Sequence, residues 1–212
     1  MAEAANRRPL KSRSSGWARS LAAALARTRI TPNQISVASV AFAAIGAAVL
    51  ILSGAPWALL ACALCIQLRL LCNLLDGMVA VEGGKGSAVG GLYNELPDRL
   101  ADSAFIVAAG YAAGVAWLGW CGALLAVTTA YIRALGGALG LPQDFRGPMA
   151  KPQRMAVLTA ACVPGAVEGY LWRSHYALRA ALWVIAVGAL LTCVTRTRAL
   201  AQALNSRAAP GQ

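Results

Sequence analysis

Only 8 of the chain's 212 residues are acidic, and five of them, Asp76, Glu82, Glu95, Asp98 and Asp102, fall within one stretch, NLLDGMVAVEGGKGSAVGGLYNELPDRLADS. On a helix, Arg69, Asn73, Asp76 and Ala80 recur at intervals of four, three and four residues and share one stripe. Asn94, Asp98 and Asp102 recur every four residues and share another. Set antiparallel, the two stripes pair 76 with 94, 73 with 98 and 69 with 102, and every pair is polar. Carboxylate and amide oxygens of this kind suit a hard cation, and a cation so held suits a phosphorylated ligand. Arg69 opposite Asp102 balances its own charge. Gly77 and Ala80 beside the first stripe, and Gly90 and Gly91 before the second, let a ligand come close to the backbone.

The elements that carry these stripes are membrane helices. The chain is 58% hydrophobic with a formal net charge of +11 and a mean hydropathy of +0.59, a combination seldom met in a soluble domain of this size. Apolar runs long enough to cross a hydrocarbon core of roughly 30 Å are expected near 35–52, 57–81, 92–114, 118–139, 155–172 and 177–194. The fold class is therefore all-α: a polytopic bundle of about six transmembrane helices preceded by an amphipathic cytoplasmic arm. Residues 1–34 form the basic arm, 35–198 the membrane domain and 199–212 a basic tail. Thr31 or Asn33, with Pro32, marks the entry to the first span.

Lys and Arg concentrate in the arm, the 82–90 loop, the 140–154 loop and the tail, which places both termini and those loops in the cytoplasm. The same charges favour anionic membrane lipid as a partner. Basic and aromatic residues do not interleave, which argues against nucleic acid. No cleavable signal peptide is evident in the Arg-rich arm. An ionised group at membrane depth costs roughly 2.5–3.5 kcal/mol on insertion scales, so facing polar stripes need partners or a function.

Other candidates carry less. The six cysteines lie in apolar runs and read as buried thiols, the Cys62/Cys65 pair included. GGKG around Lys85 lacks the remainder of a phosphate-binding P-loop. His175 is the only histidine and falls in an external connection. Glu168 is a solitary carboxylate in the outer half of the fifth span and reads as making a local hydrogen bond. Arg133, Arg146, Lys151 and Arg154 suit either a phosphate or positive-inside topology.

With these residues in place, the chain resembles the CDP-alcohol phosphotransferases, whose signature is D-x-x-D-G-x-x-A-R, eight residues, then G-x-x-x-D-x-x-x-D. Asn73, Asp76, Gly77, Ala80 and Val81, then Gly90, Asn94 and Asp98, keep that spacing throughout. TPNQIS resembles the family's stretch before its first span. The resemblance implies a cytoplasm-facing site in the cell (inner) membrane. There a substituted phosphoryl group passes from a CDP-alcohol such as CDP-diacylglycerol to an acceptor alcohol, with release of CMP. It implies Mg²⁺ or Mn²⁺ held by Asn73, Asp76, Asn94 and Asp98, with Glu95 within reach of the rim, and Asp98 as general base. Gly77, Ala80, Gly90, Lys151 and Arg154 are implied to contact the donor, the last two by location alone. Dimers are usual in the family. Asn73, Asn94 and Val81 depart from the pattern, and two accounts follow from them: an enzyme with one ion or a rearranged pair, or a CDP-lipid-binding protein with a decayed metal site.

Overall fold

The structure, a computed structural model, describes residues 15–208; the parts of the predicted arm and tail at 1–14 and 209–212 lie outside the described residues. Among the described residues the chain forms seven α-helices: α1 (Gly16–Ala26), α2 (Pro32–Ser53), α3 (Trp57–Val81), α4 (Gly90–Ala112), α5 (Ala116–Ala138), α6 (Lys151–Trp172) and α7 (Tyr176–Ala208). Five of them, α2, α3, α5, α6 and α7, are long and apolar enough to cross a membrane. The sixth expected span, α4, has the length, 23 residues, but Glu95, Asp98, Arg99 and Asp102 charge its N-terminal half.

Local signals explain most boundaries. Thr31 is the N-cap of α2: its hydroxyl accepts from Gln34 N while the Gln34 side chain accepts from Thr31 N, and Pro32 opens the first turn, a reciprocal cap that satisfies two otherwise orphaned donors. Gly54 ends the same helix in the left-handed region, φ 59°. Pro152 lies in the first turn of α6, where its missing N–H costs nothing, so the helix begins at Lys151 and not near Met155.

The largest difference from expectation is at the C-terminus. The last span was expected to stop near Val194 with a tail beyond; α7 instead runs 33 residues to Ala208. Beyond Val194 the sequence TRTRALAQALNSRA contains no Gly or Pro and is rich in Ala, Leu, Gln and Arg, all strong helix formers.

This extension has a structural task. Arg196 donates to the carbonyls of Arg146 (2.8 Å) and Thr129 (2.7 Å), Thr192 Oγ1 accepts from Met149 N (2.9 Å), and Arg207 donates to Gly140 O (2.8 Å). Together these bonds pin the 139–150 connection that leads into Lys151. Gly147 takes φ 115°, and a Cβ there would lie 2.5 Å from Thr192 Cγ2, so the pinned turn requires glycine.

The bundle packs around α4, which meets α2, α3, α5, α6 and α7. The apolar core gathers Leu59, Ile66, Phe105, Ile106, Leu158 and Leu182 from four of its helices. Small residues bring helices together where the core is thinnest: a Cβ on Gly110 of α4 would lie 2.7 Å from Gly119 Cα of α5, the close approach that membrane helices use in place of a hydrophobic driving force. The small helix α1 lays Ala18 and Ala22 against Leu74, Leu75, Met78 and Val79 of α3 and leaves Trp17 and Leu21 exposed. It packs against the end of α3 that carries Asp76.

Candidate functional site

Helices α3 and α4 meet where the two polar stripes face each other. Arg69, with no exposed surface, places Nη2 2.7 Å from Asp102 Oδ1 and 3.1 Å from Asp98 Oδ1, and donates to the Asp98 carbonyl at 3.2 Å. One turn along, the Asn73 side-chain amide donates to Asp98 Oδ1. Two of the three predicted rungs, 69 with 102 and 73 with 98, are therefore formed. The third is not. Asp76 accepts from the Ser36 hydroxyl of α2 at 2.6 Å, while Asn94 is exposed. The reason is α2, which packs along both α3 and α4 and leaves them only brief mutual contact.

A third helix completes the cluster. Lys151, the first residue of α6, binds Asp98 Oδ2. Arg154, one turn later, is buried and pairs with Asp102 Oδ2 at 3.1 Å while donating to Met149 O at 3.0 Å. The result is a continuous chain of alternating charge, Lys151, Asp98, Arg69, Asp102, Arg154, that ties α3, α4 and α6 together. The sequence grouped Lys151 with Arg154 as phosphate contacts; the two share one face of α6, but Arg154 lies one turn deeper and is buried against Asp102 while Lys151 stays at the helix start. Lys151 keeps partial access, with 21% of its side chain exposed.

The remaining predicted residues lie around this chain. Gly77 and Ala80 are half-buried beside Asp76, and Gly90 opens α4. Glu95 points to Arg133 (2.6 Å) and Arg99 (3.6 Å), and Arg133 in turn binds Gln143 and stacks over Phe145, 5.5 Å from the ring centroid. Glu95 is thus engaged with cations. Lys85 donates to Thr28 O (2.5 Å) and Ile30 O (3.3 Å), which latches the glycine-rich loop to the α1–α2 linker. At the other end of the bundle Glu168 accepts from Ser174 Oγ, Tyr176 N and Ala177 N, local hydrogen bonding of the kind expected for it, from three donors. The cysteines are free thiols.

Asp76 differs from its neighbours. It is 4% exposed, yet it takes part in none of the ion pairs among the described residues. A buried carboxylate without a cation is costly, so this position calls for one. Asn73 precedes it by three residues on the same face of α3. Asp98 can only accept hydrogen bonds, so Asn73 must face it with Nδ2, which leaves Oδ1 available on the other side. The Asp76 carboxylate and the Asn73 amide oxygen suit one divalent cation whose remaining positions a phosphorylated ligand would fill, whereas Asp98 is engaged with Arg69, Asn73 and Lys151 and Asn94 is exposed.

Ser36 is the site residue that the sequence did not reveal. Its partner is 40 residues away, and its only local signal was its place in TPNQIS.

No family model matches the chain. Curated relatives do. A phosphatidylinositol phosphate synthase of Mycobacterium marinum is 30% identical over 189 residues, 83% of this chain and 76% of the relative. A protein of the same name from Mycobacteroides abscessus is 29% identical over 194 residues, 85% of this chain and 81% of the relative. Among solved structures, the phosphatidylinositol phosphate synthase of Mycobacterium tuberculosis with CDP-DAG bound superposes with a TM-score of 0.74 at 24% identity, covering 88% of this chain and 94% of that one. The same enzyme in complex with manganese and citrate gives 0.73, covering 86% and 88%.

Proposed function

Since the chain belongs to the CDP-alcohol phosphatidyltransferase family, we propose that it works as a membrane enzyme of phospholipid synthesis, transferring the phosphatidyl group of CDP-diacylglycerol to an acceptor alcohol and releasing CMP. The acceptor is inositol phosphate, a reading supported by the shared name of its relatives. The observation that carries the proposal is Asp76, a buried carboxylate without a cationic partner, on the same face of α3 as Asn73 and one helix away from Asp98.

The chemistry follows from these positions. Asp76, with the Asn73 amide oxygen, would hold Mg²⁺ or Mn²⁺, which would neutralise the donor pyrophosphate and ease departure of CMP. Ser36 orients the Asp76 carboxylate through its 2.6 Å hydrogen bond. Asp98, on the facing helix, takes the proton of the acceptor hydroxyl as that oxygen attacks phosphorus. Arg69 and Asp102 fix the Asp98 carboxylate against α3, and Lys151 is available to the phosphates because it keeps access to the surface. Gly77, Ala80 and Gly90 leave room for the nucleotide along the backbone.

The site faces the cytoplasm of the inner membrane, a placement supported by the Lys and Arg residues of the 82–90 and 140–154 loops at its end of the bundle. Those charges, with exposed Trp17 and Leu21 on α1, favour contact with anionic lipid. A homodimer is the expected assembly. The test is CMP release by purified protein supplied with CDP-diacylglycerol, Mn²⁺ and a panel of alcohols. Release with inositol phosphate, in preference to inositol, serine and glycerol 3-phosphate, is expected; binding of cytidine nucleotide without release from any acceptor would instead establish a non-catalytic family member.

A further inference from the structure

The charges of the site are divided unequally between its two halves. Around Asp98 and Asp102 lie three cations in direct contact, Arg69, Lys151 and Arg154, with Arg99 3.6 Å from Asp98 Oδ2. That half carries net positive charge before any ion arrives. The Asp98 carboxylate is also taken up sterically: Oδ1 accepts from Arg69 and Asn73, and Oδ2 from Lys151. A divalent ion at Asp98 would meet an ammonium and a guanidinium at contact distance in a poorly polarisable interior, where like charges repel strongly. Asp76 offers the opposite environment, buried, with a hydroxyl donor and no ion pair among the described residues.

Asn73 fits this division and an aspartate would not. Its amide can donate to Asp98 and turn an oxygen toward Asp76, whereas a carboxylate at that position would face Asp98 with like charge. Asn94, the other amide of the spacing, is exposed and adds no charge.

We propose that this centre holds a single divalent ion on the Asp76 side, and that Lys151 and Arg69 supply at Asp98 the positive charge that a second ion would bring. The proposal rests on the metal-dependent reading above and deepens it. Asp76 and the Asn73 oxygen hold the ion, Asp98 remains free of metal, and the Lys151 ammonium is the second cation presented to the donor's phosphates.

Stoichiometry tests this separately from turnover. Titration of detergent-solubilised protein with Mn²⁺ alone, following the free-ion signal by electron paramagnetic resonance, should give one ion per chain. Asp76→Asn should weaken that binding at least tenfold, and Asp98→Asn should change it less than threefold. Lys151→Met, which frees Asp98 Oδ2, should admit a second and weaker ion, and it provides the decisive readout if Asp98→Asn does not fold. Two ions bound by the unaltered chain, none bound at all, equal losses in the two aspartate variants, or a single ion still in Lys151→Met would each overturn the proposal. Failure of CMP release with one Mn²⁺ bound would count against the enzymatic reading and leave this one standing.

Discussion

Replacing Asp102 by Asn tests whether the alternating charge chain holds the bundle together. Asp102 is 2% exposed and lies between two guanidinium groups, 2.7 Å from Arg69 and 3.1 Å from Arg154. With charge centres about 4 Å apart and an effective dielectric of about 20, each attraction is worth roughly 4 kcal/mol before desolvation. Asn keeps the volume and removes the charge, so both attractions go while the buried cations stay. Breaking a buried pair from one side costs about 3–5 kcal/mol, because an uncompensated charge remains. For a chain of this length that corresponds to a fall in Tm of roughly 6–20 °C, measured by thermal unfolding of detergent-solubilised protein. Adding Arg154→Met should recover at least half of the loss, since it removes the guanidinium left unpaired. A drop smaller than about 2 °C for Asp102→Asn, or no recovery in the double variant, would refute the reasoning that Asp102 compensates two buried guanidinium groups.

Two further substitutions separate catalysis from support. Ser36→Ala removes the hydroxyl that orients Asp76; supporting partners of metal-binding groups are typically worth 10- to 100-fold, so Mn²⁺ affinity and CMP release should fall by about that factor with Tm little changed. Glu168→Ala removes the carboxylate that caps the start of α7 through Tyr176 N and Ala177 N and should cost about 1–2 kcal/mol of stability. Glu168 lies roughly 25 Å along α6 from Lys151, so the rate of CMP release under stable conditions should not change.

The two formed rungs of the polar seam were legible because helical spacing and antiparallel pairing are both arithmetic. A stripe at 69, 73 and 76 facing one at 94, 98 and 102 admits one register in which every pair is polar, and Arg69–Asp102 and Asn73–Asp98 realise it. The third rung failed for a reason no pairwise count contains: α2 packs along both helices and takes Asp76 through Ser36. Arg154 was placed with Lys151 by location in a basic connection; the structure adds that, one turn deeper along α6, it is buried and paired with Asp102. The extent of α7 was readable from composition after Val194, but expecting a tail where the apolar run ended overlooked that polar residues can continue a helix beyond a membrane. Only the structure shows what that continuation does, which is to hold the 139–150 connection through Arg196 and Arg207.

The departures of the motif also acquire a physical meaning. Asn73 and Asn94 reduce the negative charge of the stripes, while Lys151, Arg69 and Arg154 neutralise what remains around Asp98 and Asp102. Of the three aspartates on the stripes, Asp76 alone takes part in no ion pair among the described residues. The two aspartates of the stripes that keep the family spacing thus have different surroundings, Asp76 without an ion pair and Asp98 in contact with Arg69 and Lys151.

The central claim is phosphatidyl transfer, and product analysis measures it most directly. Purified protein incubated with CDP-diacylglycerol, inositol phosphate and Mn²⁺ should yield phosphatidylinositol phosphate and CMP in equal amounts, and Asp76→Ala and Asp98→Asn should each reduce both products to background. Full-rate product formation by either variant, or no lipid product from the unaltered chain with any acceptor, would contradict the account.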